Sequence, residues 1–62
     1  MQNATTTFKE VKKLWNAQPF LEKLLFLMNK LKISQEEAER LSKLEFDKMA
    51  IAYKYQIYLF LN

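Results

Sequence analysis

The chain has 62 residues, with no Cys, His or Gly and a single Pro, and ten Lys or Arg against seven Asp or Glu give a formal charge of +3. A domain this short buries only about 60% of the surface its unfolded chain exposes, and without Cys or His it has neither disulfides nor a zinc site to staple it. Half of the residues are hydrophobic and 15% are aromatic, so self-association is the stabilising route that remains and a homodimer is expected.

Residues 1–6 are polar and without periodicity, and a disordered amino-terminal tail is expected there. The remainder, 7–62, reads as a single helical domain with no linker, repeat or low-complexity stretch. Thr7 and Glu10 have capping-box spacing: the hydroxyl accepts from the third helical amide while the carboxylate accepts from the amide of the cap. The helix that follows carries Phe8, Val11, Leu14 and Trp15 on one face. Pro19 ends it, because proline disfavours helical geometry in the residue before it yet suits the first turn of a new helix.

The second helix is expected to run from Pro19 to about Lys32, burying Leu21, Leu24, Leu25, Met28 and Leu31, with Phe20 and Leu27 widening the stripe. That phase leaves Phe26 outward among Glu22, Lys23, Asn29 and Lys30, where a lone monomer would favour another charge. Ser34 and Glu37 repeat the capping-box spacing and Ile33 can staple onto Ala38, so a third helix is expected from 35 to 44 after a tight turn of ordinary backbone angles. The apolar phase then slips by about two residues. Asp47 is placed to cap a new helix at that slip, giving a bend at 45–47 and a final helix to Leu61, with one long bent helix as the alternative.

Along the final helix, Ile51, Tyr55 and Tyr58 align with Lys48 and Lys54, while Phe46, Met49, Ala50, Tyr53, Ile57, Phe60 and Leu61 occupy the other side. A helix apolar on both sides is covered on both sides, and tyrosine is enriched where proteins meet because its ring packs while its hydroxyl stays wet. The expected fold is therefore all-α, a small bundle of three to four short helices. The expected function is non-catalytic binding of protein, as a regulator, adaptor or inhibitor, through an apolar and aromatic helical face. Phe26, Ile51, Tyr55 and Tyr58 are the candidate contacts, with Lys30 and Lys54 as rim charges.

The alternative partner is nucleic acid. Lys9, Lys12 and Lys13 cluster on the first helix, and Lys23, Lys30 and Lys32 follow on the second, a strip suited to phosphates but poor in the arginine that reads bases, since Arg40 stands alone. The run from Leu31 to Ala38 is similar to the opening of a helix-turn-helix, yet Ser42 to Glu45 has no Gly for the turn. The segment Asp47 to Leu61 offers Ala, Ile, Tyr and Leu where base edges need Arg, Asn, Gln or Ser. A third possibility, an apolar helix lying in a lipid interface, is weaker still.

Catalysis and cofactors are not expected. No His is present to activate a hydroxyl, no glycine-rich loop cradles a phosphate, and no loop spaces acidic groups for a hard cation. Glu36, Glu37 and Glu39 have a structural role instead, offsetting the positive end of a helix dipole. No signal-peptide pattern precedes the first helix, so a cytoplasmic home is expected. The most apolar segment, Met49 to Leu61, falls short of the roughly 20 residues needed to span a bilayer.

Overall fold

Four α-helices follow one another in a computed structural model that describes residues 7–61, and no strand occurs among the described residues. The tail expected to be disordered, 1–6, lies outside them. The helices are α1 (Phe8–Ala17), α2 (Phe20–Asn29), α3 (Gln35–Ser42) and α4 (Ile51–Leu61), with a 3₁₀ turn at Phe46–Lys48 between the last two. The alternative of one long bent helix after Ser34 is therefore not adopted.

The start of α1 forms as its sequence directs. Thr7 Oγ1 accepts from the Glu10 amide at 3.2 Å and Glu10 Oε1 accepts from the Thr7 amide at 3.1 Å, completing the capping box. Pro19 then stands as the extended residue immediately before α2, its carbonyl accepting from the Lys23 amide. Ser34 caps α3 by accepting from the Glu37 amide at 3.3 Å. The carboxylate of Glu37 turns away from the cap, however, to Arg40 and to the Tyr53 hydroxyl.

Two boundaries depart from expectation. The α2 helix ends at Asn29, and the chain turns through Lys32 at a φ of 60°, the left-handed region, not through ordinary angles. Two wide hydrogen bonds make the exit possible: the Leu31 amide reaches the Phe26 carbonyl at 3.4 Å and the Ile33 amide reaches the Leu27 carbonyl at 3.0 Å. Glycine is the usual residue at such a position, and with none in the chain a lysine carries the steric cost. Asp47 does not cap the last helix. It lies within the 3₁₀ turn and pairs with Lys12 at 2.7 Å, while α4 begins four residues later over the carbonyl of Ala50.

The core is Val11 and Trp15 from α1, Leu27 from α2, Ala38 and Leu41 from α3, Phe46 and Met49 from the turn region, and Ile57 from α4. α2 and α3 pack as a hairpin, and α1 lies against the 3₁₀ turn and α4. Three polar ties close the arrangement. Asn16 Oδ1 accepts from the Phe46 amide at 3.0 Å, Lys12 meets Asp47, and the Tyr53 hydroxyl donates to Glu37 Oε2 at 3.0 Å. Aromatic edges add to them. Phe8 stands 4.6 Å from Tyr58 and 6.2 Å from Phe46, and Phe26 bridges Trp15 and Phe60 at 5.7 and 5.2 Å.

Candidate functional site

The orientation of α2 reverses the expected placement of Phe26. Leu27, not the Leu21 and Leu25 stripe, points to the centre of the core at 0% exposure, and Leu21 is 58% exposed. Phe26 is half-buried, held edge-on between Trp15 and Phe60. The physical reason is that α2 is apolar over most of its circumference, so its own pattern selects no single face. The aromatic partners offered by α1 and α4 decide which flank is covered. Leu14, expected beside Val11 and Trp15, is also exposed, as are Phe60 and Leu61 at the end of α4.

The covered flank leaves a cleft of about 330 Å³ lined by Leu14, Trp15, Phe26 and Leu61, with Gln18, Glu22 and Lys23 at its polar edge. The buried Trp15 indole N–H and the buried Ser42 hydroxyl have no hydrogen-bond partner among the described residues.

On the outer side of α4 two of the candidate contacts, Ile51 and Tyr55, are exposed. Ile51 is 65% exposed and Tyr55 52% exposed, and they lie one turn apart on the same face. The line continues one turn further to Leu59, 56% exposed, a residue the sequence reading missed although its i+4 spacing from Tyr55 was available. Ala52 and Gln56 are exposed beside them, and the line itself carries no charge, Lys54 standing at its flank. Tyr58 is half-buried, stacked on Tyr55 at 6.0 Å and leaning on Phe8. Lys54 is half-buried on the same helix. Lys30 is exposed at the end of α2 and, like Phe26, belongs to a different element from this face.

The lysines do not all gather. Lys9, Lys12 and Lys13 surround a shallow concavity with Asn16 and Ala17. Lys23 borders the apolar cleft instead, and Lys30 and Lys32 lie at the carboxy end of α2. Lys12 is already engaged, since its hydrogen bond and charge attraction to Asp47 raise its own pKa and lower that of Asp47. The other shifted groups form one surface cluster. The hydrogen bond from Arg40, then that from Tyr53, holds the Glu37 carboxyl below its usual range, and both partners are raised in turn by their bonds to Glu37. Both sets of shifts come from ties between or within structural elements and not from a desolvated cleft.

Among the described residues no group of three or more potential Asp, Glu, Cys or His ligands is positioned around a metal ion, and no helix is long and apolar enough to cross a membrane. Comparison with known proteins found no matching family model, no similar curated protein and no similar solved structure. The functional reading therefore rests on the physical chemistry of the residues themselves.

Proposed function

We propose that this chain is a non-catalytic, cytoplasmic protein-binding module, a small regulator, adaptor or inhibitor, whose contact surface is the outer face of α4. One observation carries the proposal: Ile51, Tyr55 and Leu59 stand in line, each more than half exposed, on a largely apolar face flanked by Lys54. Such a face costs solvation unless a partner removes it from water, at roughly 25 cal/mol per Å² of apolar area. Tyr55 supplies the rigid, amphipathic ring typical of contact centres, and Lys54 supplies charge at the margin. Phe26 passes from contact residue to packing residue, because burial between Trp15 and Phe60 already satisfies it.

The second reading is nucleic-acid binding through Lys9, Lys12 and Lys13, favoured by their placement around one concavity. It is the weaker reading because Lys12 is paired with Asp47 and the remaining lysines of the strip lie elsewhere. A photo-cross-linking residue at Leu59 or at Lys13, activated in intact cells, separates the two. Protein adducts from position 59 and none from position 13 are expected. Nuclease-sensitive adducts from position 13, with none from position 59, would replace the first reading by the second.

A further inference from the structure

We draw no further inference here: the strongest candidate, the apolar cleft between α1, α2 and the end of α4 lined by Leu14, Trp15, Phe26 and Leu61, carries none because nothing in the structure shows what fills it, and Glu22 beside Lys23 at its edge favours neither an anion nor a cation.

Discussion

Truncating Leu27 to alanine tests the orientation of α2, on which the placement of Phe26 depends. Leu27 is 0% exposed and belongs to a cluster with Val11, Ala38, Leu41, Phe46 and Ile57. Removing its isobutyl group forfeits the transfer energy of the buried atoms and leaves a cavity, a combined cost of about 2–5 kcal/mol, and full burial places this site in the upper half of that range. At roughly 0.05–0.15 kcal/mol per residue a chain of this length has only about 3–9 kcal/mol in total, so most of the folded population is at stake. Leu21, six residues earlier, already has 58% of its surface in water, and Leu21→Ala should cost about 1 kcal/mol or less. Urea titration followed by far-ultraviolet circular dichroism gives both values by linear extrapolation, at one low protein concentration so that association contributes equally. A Leu21→Ala cost matching that of Leu27→Ala would mean that α2 is turned with the Leu21 and Leu25 flank inward, and the assignment of exposed faces would fail with it.

Lys32→Asn should stabilise the fold by about 0.5–1 kcal/mol, because asparagine accepts the left-handed geometry that lysine adopts there at a steric cost; an unchanged urea midpoint would contradict a strained turn. Asn16→Ala should destabilise by about 1–3 kcal/mol, since it strips the part-buried Phe46 amide of its acceptor, and protection of that amide from hydrogen exchange should fall with it. Ser42→Ala should be neutral or stabilising, as its buried hydroxyl has no partner to lose, and a large loss in thermal midpoint would show that the hydroxyl is bonded after all. Glu37 and Asp47 both have folded pKa values below their ordinary values of 4.5 and 3.8. Their contribution is therefore fully present above those values and is lost as pH falls through the lower, folded ones. The thermal midpoint should hold steady from neutrality to about pH 5 and fall below it, and Glu37→Gln should flatten part of that fall; an identical slope in the variant would remove Glu37 from the explanation.

Local chemistry made the helix starts legible. Thr7 with Glu10, Pro19, and Ser34 each announce a helix through a hydrogen bond or a backbone restriction that operates within a few residues, and all three begin helices in the structure. The bend before α4 was legible too, from the slip in apolar phase, and it appears as the 3₁₀ turn at Phe46–Lys48. The failures share another cause. Phe26 and Leu21 exchange roles because α2 is leucine-rich nearly all round, so the covering aromatics of other helices fix its rotation. Asp47 is drawn from cap to ion pair by Lys12, thirty-five positions earlier in the chain, and Glu37 is drawn from its own cap by Arg40 and Tyr53. Lys32 adopts left-handed geometry because the hairpin of α2 and α3 requires it and no glycine stands nearby. Of the candidate contacts, Ile51 and Tyr55 were legible because a single surface helix determines their direction. Leu59 completes the same line, and Lys23, Lys30 and Lys32 leave the basic strip because helix packing, not sequence, sets which lysines are neighbours.

Amide chemical shifts of the isotopically labelled chain, recorded in buffer and again in cell extract, measure most directly whether the outer face of α4 is the contact surface. Shifts that change between the two should fall on Ile51, Ala52, Tyr55, Gln56 and Leu59 and leave Lys9, Lys12 and Lys13 unmoved. Changes centred on those three lysines, or on the cleft of Leu14, Trp15, Phe26 and Leu61, would place the contact elsewhere and contradict the assignment.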